Sequence, residues 1–275
     1  MSSINAISLD KLVRLIGVPH CPALIDVRTD GEWESDPRFV PGAVRRPHAS
    51  VAEWAGEFAG RTVVVIDQKG DDLGEGAAAW LRHAGADSAD VLIGGHVDWA
   101  QSKGPLVPAA KLPPRDALGR TVWVTRARPK VDRIACPWLI RRFVDPAAVF
   151  LFVSAAEVQG VAERFSAAPF DIEGAFWSHR GERCTFDTML DEWGLVLEPL
   201  QRLAIIVRGA DTARPDLAPE AAGLLAVSLG LSHMYPVDLE QLEAGLALYD
   251  ALYRWCRDAT DEPHNWPATK PGKTP

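Results

Sequence analysis

Residues 62–83 read TVVVIDQKGDDLGEGAAAWLRH, and this stretch decides the fold of the first half of the chain. TVVVI at 62–66 is an unbroken β-branched run without polar alternation, the signature of a strand in a parallel sheet covered on its faces. It runs straight into a loop rich in glycine and aspartate, and apolar residues then recur with helical spacing over 76–83. Working outward, ALIDV at 23–27 and ADVLIGG at 89–95 repeat the strand signature, and residues 10–16 repeat the helical one. Strands alternating with helical segments predict a parallel sheet with crossover helices.

The second half opens with TVWVTR at 121–126, continues through an amphipathic segment ending in RRF, and returns to a strand pattern in AVFLFV at 148–153. Beyond it lie long apolar-periodic segments at 198–207, 219–229 and 239–256, whose aromatic and alanine positions read as core. The fold class expected is α/β: a parallel sheet with helices on both faces, then a second, helix-rich α/β domain. Proline and polar residues thicken in KLPPRDALGR at 111–120, so the division runs 1–112 for the first domain, 113–119 for a linker and 120–260 for the second domain. Residues 261–275 hold four prolines and no apolar periodicity, which predicts a disordered tail.

With 275 residues and 47% apolar content, the chain can build two cores. No apolar run approaches the roughly 20 residues that cross a bilayer, and the N-terminal residues lack the layout of a signal peptide, so a cytoplasmic protein without a membrane partner is expected. The four cysteines, Cys21, Cys136, Cys184 and Cys256, are far apart and form no C-x-x-C pair, which argues against a disulfide scaffold or a zinc ribbon. A net charge of −8 gives no support to a general nucleic-acid surface. Yet Arg126, Arg128, Lys130, Arg133, Arg141 and Arg142 are opposed only by Asp132, and of fifteen cations from Arg120 to Arg257 only Lys130 is a lysine. Arginine grips oxyanions with two parallel hydrogen bonds. The plain alternative is a set of arginines paired with neighbouring carboxylates.

Asp26-Val-Arg28 leading to Glu32-Trp33, PGAVRRPH at 41–48, the TVVVI strand with its loop and helix, and Gly94-Gly95-His96-Val97-Asp98-Trp99 followed by GPLV together resemble the rhodanese family over about residues 5–108. The resemblance implies a persulfide-carrying cysteine at the start of the loop after the central strand, its thiolate stabilised at a helix N-terminus. Asp67 stands at that position. An aspartate cannot pass on a sulfur atom, and Asp71, Asp72 and Glu75 make the loop acidic, so it reads as a degenerate site kept for packing or for docking a protein partner. Cys21 lies before the first core strand, and His48 and His96 read as ordinary surface or hydrogen-bonding side chains.

The densest chemistry lies in WVTRARPKVDRIACPWLIRRFVDP at 123–146 and FWSHRGERCTFD at 176–187. Asp132 can cap the segment after it, and Pro137 belongs in the first turn of a helix or kinks one. If the helix begins at Pro137, Cys136 is its N-cap beside several arginines, which would activate the thiol; the alternative is a buried cysteine beside Trp138 and Leu139. Cys136, His179, Cys184 and Asp187 are of metal-ligand type, though their spacing matches no zinc pattern. Arg208, in IIVRGADT, ends an apolar run and precedes Asp211.

The runs TRARPKVDRIACPWLIRRFVDP, SHRGERCTFD, and IIVRGADT with DLAPEAAGLLAVSLGLS closely resemble the C-terminal domain of the ChrB proteins over about residues 120–257. The resemblance implies a chromate-linked function, since ChrB regulators repress a chromate-efflux operon and release it when chromate is present. It carries Arg126, Arg133 and His179 over as the sensing residues, with Arg128, Arg180 and Arg208 as further oxyanion-binding candidates. The first half, with eleven cations against fifteen anions through Lys111, offers no basic recognition helix, which argues against direct DNA binding. The leading expectation is a chromate-resistance accessory or sensor protein whose partner is a small inorganic oxyanion. Two readings stay open beside it: a redox or sulfur enzyme using Cys136 or Cys184 as nucleophile, and a second domain dependent on a divalent metal.

Overall fold

The computed structural model describes residues 5–262; the tail expected over 261–275 falls outside the described residues from position 263. The first half is built from β1 (Ala6–Ile7), α1 (Leu9–Leu15), β2 (Ala23–Asp26), α2 (Asp30–Ser35), β3 (Arg38–Phe39), β4 (Ala43–Arg45), α3 (Val51–Trp54), β5 (Thr62–Ile66), α4 (Asp72–His83), β6 (Ser88–Leu92), α5 (Gly95–Gln101) and β7 (Val107–Pro108). β1, β6, β5, β2 and β4 pair in that order, every pair parallel, while β3 and β7 form a small antiparallel ribbon.

The β-branched run at 62–66 is the centre of this sheet because it has apolar side chains for both faces. Val63 and Val65 join Ile25, Val27 and Val91 against Trp54, Phe58, Ala78 and Leu81 of the α3 and α4 side. Val64 and Ile66 join Leu24 and Leu92 on the opposite face, against Leu12, Phe39 and Trp99. Successive strand residues point to opposite faces, so only a run apolar at every position can serve both. The expected α/β architecture with helices on both faces is what the chain builds.

The second half comprises β8 (Val122–Arg126), α6 (Asp132–Phe143), β9 (Val149–Val153), α7 (Val158–Phe165), β10 (Ala168–Pro169), α8 (Thr185–Trp193), α9 (Glu198–Asp211), α10 (Glu220–Met234) and α11 (Asp238–Asp258). Its three strands pair in parallel in the order β10, β8, β9. β8 is central: the chain leaves it for β9 on one side and returns through α7 to β10 on the other.

One expectation about α6 is corrected. The helix begins at Asp132 and not at Pro137, which lies inside it. Cys136 is therefore a fully buried mid-helix residue, not an N-cap. Nor is α6 amphipathic in the ordinary sense. Ile134, Ala135, Cys136, Trp138, Leu139, Ile140 and Phe143 are all buried, and a helix apolar most of the way round is one enclosed by neighbours. Among the described residues no helix is long and apolar enough to cross a membrane.

Candidate functional site

In open α/β sheets, ligands bind beyond the carboxyl ends of the strands, where the strand order reverses. In the second half that place is the end of β8. Arg126 is the last residue of β8, and Asp171 follows β10 by two residues, so the parallel register carries both to the same edge. The turn from β8 into α6 runs beneath them. Its backbone is held in unusual conformations, and so is that of Asp171: Arg128, Val131 and Asp171 all have positive φ, at 59°, 39° and 50°. For a β-branched residue such as Val131 this costs on the order of 1–3 kcal/mol, so surrounding bonds must fix it. They do: Ser228 Oγ accepts from Val131 N (2.9 Å), Tyr249 Oη donates to Val131 O (2.9 Å), and Gln241 Nε2 donates to Pro129 O (2.6 Å). Helices α10 and α11 thus position the site from behind.

Arg133, on the first turn of α6, bonds back to the carbonyls of Ala127 (3.1 Å) and Arg128 (3.3 Å), and its Nε lies 3.2 Å from Asp171 Oδ2. Arg126 approaches the same oxygen at only 3.8 Å and keeps half of its side chain exposed. His179 comes from the long loop between β10 and α8. Its Nε2 faces three carboxylates at once: Asp211 at 3.1 Å, Asp171 at 3.3 Å and Asp132 at 3.6 Å. Hydrogen bonds that the imidazole donates to Asp171 and Asp211 push it up to about 10. Asp132 is wholly buried, and burial, then the charges of Asp211 and Asp171, push its carboxyl well above the usual range. Asp132 does not cap its own helix. Its Oδ2 accepts from Thr185 N (2.6 Å) and Phe186 N (3.4 Å), so it caps α8 across the domain.

The structure thus gathers Arg126, Arg133 and His179 around Asp171, and puts the other candidates elsewhere. Arg128 donates to the carbonyls of Ser232 and Tyr235 and pins the turn between α10 and α11. Arg180 pairs with Glu192 at 2.6 Å, and Arg208 grips Asp187 with bonds of 2.8 and 2.7 Å. For Arg180 and Arg208 the plain alternative of carboxylate pairing describes the contacts, whereas the Arg128 guanidinium is held by backbone carbonyls instead.

The thiols are not poised for attack. Burial, followed by the negative charges of Asp132 and its neighbours, pushes Cys136 and Cys184 upward, the opposite of an activated nucleophile. The set Cys136, His179, Cys184 and Asp187 does not assemble as a metal centre either: Asp187 is spent on Arg208 and on the backbone N–H and thiol of Cys184. Among the described residues, the group whose ligand atoms converge is Asp132, Asp171, His179 and Asp211, all within 4.8 Å of one another. Asp171 escaped the sequence reading altogether, and Asp132 and Asp211 entered it in other roles. No local spacing joins residues so far apart in the chain; the strained left-handed φ at Asp171 is visible only in three dimensions.

An open cavity of about 1000 Å³ begins at this cluster, lined by Arg126, Gln159, Asp171, Glu173, Ser178 and His179 among others. In the first half, Asp67 opens the loop between β5 and α4 and is wholly buried. Its carboxylate accepts from the backbone N–H groups of Gly70, of Asp71 (3.0 Å) and of Gly74 (2.8 Å).

Comparison with known proteins places both halves. The rhodanese-like domain family matches residues 8–102, and the family described as ChrB, C-terminal domain, matches residues 123–256. The chain is 37% identical over 149 residues to Protein ChrB of Cupriavidus metallidurans, covering 53% of this chain and 44% of that protein, so it spans less than half the length of that relative. Among solved structures it is similar to SSP1007 of Staphylococcus saprophyticus (24% identity, 35% of this chain and 93% of that one, TM-score 0.31). It is also similar to a human single-domain sulfurtransferase (21% identity, 36% of this chain and 97% of that one, TM-score 0.31). The chain carries a rhodanese-like domain over residues 8–102, followed by a ChrB C-terminal domain over residues 123–256 whose Arg126, Arg133 and His179 meet at the carboxyl ends of its strands.

Proposed function

We propose that this chain is a chromate-resistance protein that senses chromate, or a closely similar tetrahedral oxyanion, in the cavity bounded by Arg126 and His179. The observation that carries the reading is the state of Arg126: half exposed, 3.8 Å from its nearest carboxylate, and on the wall of an open cavity it shares with His179. Arg128, Arg180 and Arg208 are committed to partners at hydrogen-bond distance, whereas Arg126 has bonding capacity left for a ligand. A dianion docked there takes two parallel N–H bonds from the guanidinium and draws Arg126 away from Asp171. Asp171 in turn holds Arg133, which fastens the β8–α6 turn, and the same turn is tied to α10 and α11 through Arg128 and Val131. Binding is in this way linked to the helical part of the domain.

The output of such a sensor passes through a protein contact, for which the rhodanese-like domain offers its surface, in preference to direct DNA contact: eleven cations against fifteen anions through Lys111 make a poor phosphate-binding face. Calorimetric titration with chromate, and separately with sulfate, tests the reading. Wild type is expected to bind chromate at one site, Arg126→Ala to weaken it roughly 10- to 100-fold, the worth of a charge-assisted pair, and Arg180→Ala to leave it nearly unchanged. Failure of wild type to bind chromate, or equal binding by Arg126→Ala, would overturn it.

A further inference from the structure

The convergence of Asp132, Asp171, Asp211 and His179 calls for an explanation independent of any anion. The four side chains come from the start of α6, the turn after β10, the end of α9 and a loop, yet one ligand atom from each lies within 4.8 Å of all the others. Each carboxylate is oriented by donors behind it. Thr185 N and Phe186 N hold Asp132; Thr185 Oγ1 (3.0 Å) donates to Asp171, which also ion-pairs with Arg133; Asp132 N (3.4 Å) reaches Asp211. Such outer-shell support is how proteins aim metal ligands.

A second observation points to a missing ligand. Asp132 is completely buried, its Oδ2 faces His179 at 3.6 Å, and its Oδ1 has no hydrogen-bond donor among the described residues. An orphaned carboxylate oxygen at full burial is costly. A single Nε2–H cannot satisfy three carboxylates at 3.1, 3.3 and 3.6 Å. Around a small cation with bonds of about 2.0–2.2 Å, adjacent donors sit about 3.0–3.4 Å apart; the separations to Asp211 and Asp171 fall in that range and that to Asp132 lies just beyond it.

We propose that Asp132, Asp171, Asp211 and His179 form a binding site for one divalent first-row transition ion, of the Mn²⁺ or Fe²⁺ class. Three hard carboxylate oxygens and one imidazole suit these ions, and the nearby thiols of Cys136 and Cys184 are not part of the set. A divalent charge offsets most of the negative charge that three clustered carboxylates bring together. It also competes with Arg126 and Arg133 for Asp171, and of these two arginines Arg126 lines the cavity together with Asp171 and His179.

The test uses the full chain, stripped with chelator, kept free of chromate, and titrated with Mn²⁺ while electron paramagnetic resonance follows the free ion. Wild type is expected to take up one equivalent saturably and to melt at a higher temperature with Mn²⁺ present. Asp211→Asn, which spares the α8 cap made by Asp132, is expected to weaken binding roughly 100-fold and to abolish the shift in melting temperature, with an unchanged circular dichroism spectrum. Asp216→Asn, an exposed control of equal charge change, is expected to behave as wild type. Mn²⁺ bound no more tightly by wild type than by Asp211→Asn, or weakened equally by Asp216→Asn, would overturn the proposal. Chromate titration of Arg126→Ala leaves all four ligands intact, so the two proposals fail separately.

Discussion

A carboxylate at position 67 fills a nest of backbone N–H groups in which the rhodanese resemblance expects a sulfur nucleophile. Gly70, Asp71 and Gly74 all donate to it, so the anion the loop is shaped for is supplied from within. Asp67→Ala is therefore expected to destabilise the protein by about 2–4 kcal/mol in urea unfolding, because several buried donors lose their partner. A cost near zero would mean that the loop reorganises freely. Asp36 gives a residue-level prediction with a sign. Arg38 first, and His96 after it, hold its carboxyl down at about 2 against an ordinary 3.8. A depressed acid contributes stability above its unfolded value and loses it as pH falls through its folded one. Asp36→Asn should thus be less stable than wild type at neutral pH, with the gap closing as pH falls from about 4 to about 2, measured by thermal melts across that range. Asp67 was legible in the sequence because it stands inside a contiguous motif. Asp171 was not, since nothing in the order of residues shows that it meets Asp132 and Asp211.

At the scale of elements, α6 shows where local signals mislead. Pro137 suggests a helix start, but the missing N–H is tolerated inside the helix because the tertiary surroundings of Trp138, Leu139 and Ile140 outweigh one lost backbone bond. The real start is set by Val131, whose strained backbone is clamped by Ser228 and Tyr249 from α10 and α11. The strands β2, β5, β6, β8 and β9, in contrast, were readable from short β-branched runs bounded by turn residues, whereas β1, β3, β4, β7 and β10 are only two or three residues long and carry no such run. Close approach of α11 to α6 depends on Gly245: a Cβ there would meet Ile134 Cγ2 at 2.6 Å. Gly245→Ala would raise helix propensity by roughly 1 kcal/mol at an exposed position. Here it is expected to destabilise by about 1–3 kcal/mol through overpacking, and to weaken chromate binding by loosening the clamp on the β8–α6 turn. Chemical denaturation with parallel calorimetry checks both. A stabilised variant would show that the helices separate without cost.

The whole molecule is more tightly joined than two domains on a linker. Leu12, Phe39 and Trp99 of the first half share one continuous apolar cluster with Phe143, Leu190 and Tyr253 of the second. Gly42 N donates to Phe143 O at 2.8 Å, Arg257 Nη1 donates to Arg14 O at 2.9 Å, and Lys111 pairs with Glu192 at 2.8 Å. Gly17, at φ 80°, lies so close to Phe143 and Tyr253 that an added Cβ would strike the Phe143 ring. Differential scanning calorimetry is therefore expected to show one cooperative transition, and Gly17→Ala to lower its midpoint by an amount equivalent to about 1–3 kcal/mol. Two separate transitions in wild type would be incompatible with a shared core. Sequence alone could not reveal this junction, because composition marks where a chain changes character and not which surfaces then pack together. Whether chromate occupies the cavity at Arg126 is decided by an anomalous-difference map at the chromium edge, from crystals grown with chromate. One chromium peak is expected within hydrogen-bonding reach of the Arg126 guanidinium, on the cavity wall shared with His179. A chromium peak elsewhere, with the cavity empty, would refute chromate sensing at this site.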